Sequence, residues 1–280
     1  MPKMGPEPRV ILDNLVFPEC PRWRDGRLWF SDMRARQVKA VDMEGRAVLI
    51  TAAPDRPSGL GFTPDGRLLL VLMRQRKLLR LDGATLTPVA DLSGMAGTMC
   101  NDMVVDAQGR AYIGNMDPMT PGNTTVAMAT PDGRVRVVAD DMASPNGMAI
   151  TPDGRTLIVA ESRGHRLSAF DIQPDGGLAN RRVWAPLPGY PDGICLDAEG
   201  CVWVAFPNMP GTGFIRVAAG GQIKQRIDVP TRKCLACMLG GPDRKTLFMV
   251  EAREGFATKL GPGNGRIRAV QVDVPGAGLP

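Results

Sequence analysis

The sequence predicts an all-β fold, a six-bladed β-propeller with four-stranded blades around a central metal-binding channel. Three observations predict the blades: a turn motif recurs at a regular interval, short apolar runs separate the turns, and helical periodicity is absent. The 280 residues include 33 glycines and 25 prolines, spread along the chain and not gathered into linkers. This distribution is typical of many short strands joined by turns.

The recurrent motif is a turn of the type Pro-Asp-Gly, after which a basic or polar residue opens an apolar run. The residues that open these runs are Arg27, Arg67, Arg110, Arg155, Cys201 and Lys245. Their separations lie between 40 and 46 residues, a period typical of propellers and solenoids. In the fourth repeat, runs at 146–151, 156–160, 165–171 and 178–185 predict four strands.

The termini complete the predicted ring. The run at about 9–17 precedes the first turn motif, and we expect it to pair with a strand at about 266–272. This pairing would close the propeller and leave no exposed sheet edge. We therefore predict a single domain over residues 1–280.

Composition excludes several partners. The formal net charge is +5, and no run of Lys and Arg forms a basic arm, which argues against nucleic acid. The longest apolar run, Leu68 to Met73, is too short to cross a membrane, and the N-terminus lacks the apolar segment of a signal peptide. We therefore expect no membrane partner and a cytoplasmic location. The six cysteines lack a zinc-site spacing and are expected to be reduced core residues.

Equivalent positions of different repeats should converge at one rim of the channel. The positions eight or nine residues before each run-opening residue are Glu19, Ser58, Asn101, Asn146, Asp192 and Ala236. Most of these are short side chains that carry oxygen, and two carboxylates on one rim are costly without a cation between them. Their convergence favours a site for one divalent cation. Oxygen ligands make Ca²⁺ the preferred ion, with Mg²⁺, Mn²⁺ or Zn²⁺ as alternatives.

A second interpretation of these positions is purely local. Pro145-Asn146-Gly147 and Pro191-Asp192-Gly193 are also strong turn signals. Taken one at a time, such segments are more often turns than ligands. Their common register with Glu19 is what favours the metal site.

The motifs around these positions resemble a known family. Glu19-Cys20-Pro21-Arg22-Trp23, Asn101-Asp102, Ser144-Pro145-Asn146-Gly147 and Pro191-Asp192-Gly193 are similar, in this order, to the SMP-30/gluconolactonase/luciferin-regenerating-enzyme family. The resemblance spans roughly residues 12–272. It implies a six-bladed propeller with one catalytic divalent cation and hydrolysis of a lactone. By motif, it implies Glu19, Asn146 and Asp192 as metal ligands and Asn101 as a polar contact to water or substrate.

Two residues depart from the family pattern. Cys20 stands where the family usually has glycine, so the backbone beside Glu19 could differ in shape. Met99 stands where sugar-lactone members often have arginine, which leaves room for a more apolar lactone or ester. Tyr190 is expected to line the cavity entrance, and the segment 114–124 is either a loop over the channel mouth or an ordinary connection between strands.

The resulting hypothesis is a small-molecule hydrolase in which Asp192 serves as general base as well as ligand. A Ser-His-Asp triad is not expected, because His165 is the single histidine and no nucleophile elbow is found. Two alternatives remain. One is a calcium-binding or interaction propeller without catalysis. The other is an arylesterase similar to the paraoxonases, although those use channel-mouth histidines that this chain lacks.

Overall fold

The computed structural model describes residues 7–95, 97–117, 119, 124–207, 212–254 and 260–278. It is a six-bladed β-propeller, and each blade is a four-stranded antiparallel sheet. The first strand, β1 (Arg9–Leu15), belongs to the last blade. In the described residues one 3₁₀ turn, Met33–Ala35, is the only helical element.

The strands follow one another from the channel outward within each blade. Blade 1 contains β2 (Pro18–Arg24), β3 (Arg27–Asp32), β4 (Gln37–Val41) and β5 (Ala47–Ala52). Blade 2 contains β6 (Pro57–Phe62), β7 (Leu68–Leu72), β8 (Lys77–Asp82) and β9 (Thr85–Asp91). Blade 3 contains β10 (Met99–Val105), β11 (Ala111–Met116), β12 (Thr124–Ala129) and β13 (Val135–Met142).

The second half of the chain repeats this order. Blade 4 contains β14 (Pro145–Ile150), β15 (Thr156–Glu161), β16 (Arg166–Ile172) and β17 (Leu178–Pro186). Blade 5 contains β18 (Ile194–Leu196), β19 (Val202–Phe206), β20 (Gly213–Val217) and β21 (Ile223–Asp228). Blade 6 contains β22 (Lys233–Gly240), β23 (Thr246–Ala252) and β24 (Gly265–Gln271). Its outermost strand is β1, which pairs antiparallel with β24 and joins the two ends of the chain.

The recurrent turn motif joins the first and second strands of each blade. Its third residue has a positive φ, as at Gly66 (91°) and Gly154 (69°). In the sixth copy Arg244 takes this position with a φ of 55°. Glycine recurs there because the turn requires a left-handed conformation that other residues adopt only at a cost.

Glycines also set how closely the blades approach around the channel. A Cβ added at Gly147 would lie 2.5 Å from Ile194 N, and one at Gly193 would lie 2.4 Å from Ala236 Cβ. Neither glycine has a positive φ, and Asn146 and Gly147 lie inside β14. The Asn-Gly dipeptide is therefore strand and not turn, and its glycine permits the contact between neighbouring blades.

The core fills the space between neighbouring sheets. Leu28, Phe30, Leu70, Tyr112 and Trp203 are among its largest fully buried side chains. All six cysteines are buried and none forms a disulfide. No helix in the described parts of the chain has the length and apolar character needed to cross a membrane.

Candidate active site

The rim at which the innermost strands begin, called here the site rim, surrounds a cavity of about 420 Å³. The volume suits a small-molecule ligand. The polar and charged residues along its wall are Glu19, Ser58, Asn101, Asp102, Asn146, Asp192, Lys233 and Glu254. The apolar residues are Phe17, Met33, Met73, Met116, Pro207 and Leu235.

Most of the innermost strands carry an irregularity at their contribution to this cavity. The pairing of β2 with β3 shifts register between Glu19 and Arg22. Equivalent shifts occur next to Ser58 in β6, Asn101 in β10 and Asn146 in β14. Bulges of this kind bend a strand and re-aim its side chains, and they are common beside active sites. Here they turn polar side chains into the channel.

Cys20 lies in the first of these bulges with a φ of 49°. A residue with a Cβ pays about 1–2 kcal/mol for this left-handed conformation, which glycine adopts freely. The buried Sγ of Cys20 accepts a hydrogen bond from Leu60 N at 3.2 Å. The backbone beside Glu19 therefore keeps the shape that glycine favours.

Of the four carboxylates along the cavity wall, Glu19, Asp102 and Asp192 act on one another electrostatically. Glu19 is 9% and Asp102 5% exposed. Burial, followed by the charges of Asp192 and Asp102, raises the pKa of Glu19. Burial and then the charge of Asp102 raise the pKa of Asp192. Burial also raises the pKa of Asp102 to about 6, despite the opposing charge of Arg22. The three groups repel one another when ionised, so the cavity favours a cation.

Arg22 lies buried beside this group in the same strand as Glu19. Its guanidinium donates hydrogen bonds to Leu60 O at 3.0 Å, Pro21 O at 2.7 Å and Met103 O at 2.6 Å. These carbonyls belong to blades 1, 2 and 3, so Arg22 joins three blades near the cavity floor. Its hydrogen bonds go to carbonyl oxygens, and no ion pair among the described residues joins any of the three carboxylates to a basic side chain.

Hydrogen bonds fix the two asparagines. Asn101 Nδ2 donates to Pro145 O at 3.3 Å, across the boundary between blades 3 and 4. Asn146 Nδ2 donates to Ser162 Oγ at 3.3 Å, and the Asn146 side chain also hydrogen-bonds to the Asp192 carboxylate, which lowers the pKa of Asp192. Because the amide nitrogen of Asn146 serves these donor roles, its oxygen is the atom available to a cation.

The cavity brings together most of the residues that the sequence singles out. Glu19, Ser58, Asn101, Asn146 and Asp192 all line it. Leu235 takes the place expected for its neighbour Ala236, which is buried in the core. The strand pairing there shifts between Cys234 and Ala236, so the register expected for the sixth repeat is displaced by one residue.

Two predicted substrate contacts lie outside the cavity wall. Met99 is the cross-strand partner of Met116, and Met116 is the residue that reaches the cavity. Tyr190 is 36% exposed and packs against His165, with ring centroids 4.3 Å apart. Their contact with substrate stays a prediction. Of the segment 114–124, positions 118 and 120–123 lie outside the described residues, so its role as a lid is not tested.

Asp102 and two methionines are cavity residues that the register argument misses. Strict alternation along a strand directs only one of Asn101 and Asp102 toward the channel, but the bulge in β10 allows both to reach it. Met33 and Met73 follow the ends of β3 and β7. They could have been found by aligning the residues after each second strand, because those ends lie at the same rim.

The donor set fits a hard divalent cation. Within the described residues no three His, Cys, Asp or Glu side chains are arranged to hold a metal by themselves. A cation in this cavity would therefore need an amide ligand in addition to carboxylates, and Asn146 provides one. Buried carboxylate oxygens next to amide oxygens are the ligands that Ca²⁺ and similar ions take.

A larger cavity of about 680 Å³ lies at the opposite rim. Its one carboxylate among the described lining residues is Asp106. That carboxylate already accepts hydrogen bonds from Gln108 N at 3.0 Å, Arg110 N at 2.8 Å and Arg110 Nε at 2.6 Å. With its acidic group satisfied, this cavity is the weaker candidate for chemistry.

The family model of the SMP-30/gluconolactonase/LRE-like region matches residues 17–253. The chain belongs to this family. The match includes every residue of the cavity wall except Glu254.

Curated relatives and solved structures agree in fold and length. A 6-deoxy-6-sulfogluconolactonase from Pseudomonas putida is 27% identical over 97% of this chain and 96% of its own length. A pentonolactonase from Haloferax volcanii is 28% identical over 87% of this chain and 84% of its own. The crystal structure of regucalcin from Agrobacterium tumefaciens, described as a calcium-binding protein, has a TM-score of 0.82. It is 24% identical and covers 98% of this chain and 96% of its own, which shows the shared fold.

Proposed function

We propose that this protein is a divalent-cation-dependent lactonase whose cation is held by Glu19, Asn146 and Asp192. The observation that carries the proposal is the convergence of three carboxylates, Glu19, Asp102 and Asp192, whose charges oppose one another in a small-molecule cavity. Lactone hydrolysis is supported by the names of the Pseudomonas and Haloferax relatives. Glu19, Asn146 and Asp192 all lie within the matched family region.

The cation and the protein would divide the chemistry between them. A divalent cation bound there would polarise the lactone carbonyl and acidify a water molecule. We assign the proton of the attacking water to Asp192, whose second carboxylate oxygen can accept it. The same carboxylate then returns the proton to the ring oxygen as the ester C–O bond breaks. The hydrogen bond from Asn146 holds the Asp192 carboxylate in place during both transfers.

The remaining cavity residues position the substrate. We propose that Asn101 and Asp102 contact the polar end of the lactone or its attacking water. Phe17, Met33 and Met116 offer an apolar wall that can cover the ring and limit access of bulk water. Met99 and Tyr190 are proposed to influence substrate choice from behind this wall and from the rim.

The ion itself is proposed from the donor chemistry. Carboxylate and amide oxygens favour Ca²⁺, and Mg²⁺ or Mn²⁺ accept the same ligands. Zn²⁺ also binds carboxylates but more often takes nitrogen or sulfur. An arylesterase that depends on histidine is not favoured, because the single histidine, His165, packs against Tyr190 and does not line the cavity.

The proposal is tested with a pH-indicator assay on a panel of sugar and aliphatic lactones. Chelator-treated protein is assayed first, and then after separate addition of Ca²⁺, Mg²⁺, Mn²⁺ and Zn²⁺. We expect turnover to be lost with the chelator and restored by at least one ion. Thermal unfolding of the same samples separates the alternatives: stabilisation by an ion without any turnover would support a calcium-binding propeller and contradict the lactonase.

A further inference from the structure

Three arginines lie where the loops of blades 1 and 2 reach the site rim. Arg34 follows Met33, Arg74 follows Met73, and Arg56 precedes Ser58 by two positions. Met33, Met73 and Ser58 all line the cavity, whereas the three arginines lie just beyond its wall. We call Arg34, Arg56 and Arg74 the rim arginines.

The backbone ties these loops together. Met73 N donates to Arg56 O at 2.9 Å. Asp55 Oδ2 accepts hydrogen bonds from Arg74 N and Gln75 N, both at 2.8 Å. Asp55 is the one carboxylate in the segments 33–36, 53–56 and 73–76, and main-chain amides already use it. These neighbouring loops therefore carry more basic than acidic residues.

The electrostatics of the rim arginines reflect this imbalance. Partial burial and then the charge of Arg74 lower the pKa of Arg34. Partial burial and then the charges of Arg34 and Arg74 lower the pKa of Arg56, although the charge of Asp55 opposes them. Across the described part of the chain no carboxylate forms an ion pair with Arg56 or Arg74. An anion placed among them would relieve their mutual repulsion.

The charges that shift the pKa values of the cavity carboxylates come from residues other than the rim arginines. The charges that act on Glu19 and Asp192 come from other carboxylates, and the basic group that acts on Asp102 is Arg22. The carboxylates of the cavity floor thus attract cations, whereas the rim arginines attract anions at one side of the cavity mouth.

We infer that the rim arginines bind an anionic group, a carboxylate, sulfonate or phosphate, that the substrate carries away from its lactone ring. The inference rests on the proposed function, because it assigns the ring to the cavity and the anion to the mouth. Guanidinium groups bind such anions through paired, charge-assisted hydrogen bonds. Repulsion by Glu19, Asp102 and Asp192 would keep the anion away from the floor, so the divided charge orients the substrate.

A matched pair of lactones tests this inference. Glucono-δ-lactone and 6-phosphoglucono-δ-lactone share the ring and differ in a terminal charge. We expect the cation-loaded wild-type protein to have a kcat/KM at least about tenfold higher for the phosphorylated lactone, the size of one charge-assisted contact. This ratio should fall as salt is raised, because the arginines are partly solvent-exposed.

Arg74→Gln and Arg56→Gln should each lower the ratio of the two kcat/KM values, by up to about tenfold. Because Arg74 is exposed, we expect Arg74→Gln to fold, and the ratio can be measured on this variant even if Arg56→Gln does not fold. Arg134→Gln is the matched control, since Arg134 is an exposed arginine of the opposite rim that pairs with Asp132. It should leave the ratio unchanged.

The outcomes separate the inference from the proposed function. Turnover of both lactones with equal kcat/KM, or a ratio that Arg56→Gln and Arg74→Gln do not change, would overturn the inference and leave the lactonase standing. If neither lactone is hydrolysed, calorimetric titration with 6-phosphogluconate decides the inference by itself. Binding that weakens in Arg74→Gln supports the anion site, and the absence of binding overturns it.

Discussion

Carboxylates in the turns of the opposite rim and carboxylates in the cavity are used in opposite ways. At the rim opposite the cavity, aspartates of the turns accept main-chain hydrogen bonds and pair with arginines. Examples are Asp42 with Arg46 at 2.7 Å, Asp106 with Arg110 at 2.6 Å and Asp197 with Arg216 at 2.5 Å. At the site rim, Glu19 and Asp192 face other carboxylates instead of basic partners.

The difference shows how a repeated fold separates stability from function. At the opposite rim, the charges of each turn are balanced mainly within one blade. The same pairing of aspartate with arginine can therefore recur in any blade. At the site rim, a balanced site would need an ion from outside the chain, because carboxylates from blades 1, 3 and 5 meet there. We therefore expect substitutions of the cavity carboxylates to change activity, and substitutions of the paired turn aspartates at the opposite rim to change stability.

The largest expected effect is that of Asp192→Asn on turnover. The change removes the proposed base and one charged ligand but keeps the shape of the side chain. We expect kcat/KM for lactones to fall by at least about 10²-fold, in the range for a lost general base. The melting temperature without metal should stay the same or rise, since the change removes a charge that Asp102 repels.

Asp132→Asn provides the control for this comparison, because Asp132 is an exposed aspartate of the opposite rim. It should retain wild-type turnover. A folded Asp192→Asn protein with near-full activity would contradict the role given to Asp192.

Asp197→Ala should produce the reverse pattern. Asp197 is 1% exposed and accepts hydrogen bonds from Glu199 N, Cys201 N and Arg216 Nε. Its removal leaves Arg216 buried with part of its partners gone, so we expect the free energy of unfolding to fall by about 3–5 kcal/mol. Denaturant titration measures this loss, and kcat per folded molecule should not change.

A second variant sharpens the reason for the loss at Asp197. In Asp197→Ala/Arg216→Met the buried charge is gone, and part of the stability should return. If the double variant is no more stable than Asp197→Ala, the loss of unfolding free energy comes from the hydrogen bonds of the turn and not from the buried charge of Arg216.

The sequence predicts the architecture well because the period and the turn chemistry are local. Each turn needs a left-handed residue, and this requirement marks every blade with glycine or, at Arg244, a strained substitute. The position of Glu19 and its equivalents follows from counting back along a strand. The presence of Asp102 in the cavity does not, because a bulge in β10 breaks the alternation on which counting depends.

The clustering of the rim arginines could not be predicted either. Arg34 and Arg74 follow the second strands of blades 1 and 2, and Arg56 lies in the connection between these blades. No single repeat therefore contains all three. Local patterns thus predict what every blade shares. The parts of the site that depend on contacts between different blades appear only in the folded ring.

The pH dependence of the metal-free protein tests the electrostatics of the cavity. Burial raises the pKa of Glu19 and Asp192, and that of Asp102 to about 6, whereas the unfolded chain releases these protons near pH 4. The folded state therefore holds more protons, and stability from these groups is lost as the pH rises from about 4 through about 6.

We expect the melting temperature of chelator-treated protein to be lower at pH 8 than at pH 5, and the stabilisation by added cation to be larger at pH 8. Asp102→Asn serves as the matched variant, and its melting temperature should vary less with pH. A wild-type melting temperature that does not depend on pH or cation would show that the three carboxylates are not destabilising one another.

The smallest expected effect has the opposite sign and comes from the opposite rim. Hydrogen bonds from Arg67 and then Thr63 lower the pKa of Asp65 to about 2, so its folded state holds fewer protons than the unfolded chain. The contribution of ionised Asp65 to the free energy of unfolding is present above about pH 4 and is lost as the pH falls through 2. Because Asp65 is exposed, solvent and salt screen the interaction and the effect is small. Between pH 5 and pH 3 at low salt, the melting temperature of Asp65→Asn should therefore fall slightly less than that of the wild type. At high salt the two proteins should show the same fall. A difference that persists at high salt would contradict a screened ion pair as the cause and would assign the shift to the short hydrogen bonds of Asp65.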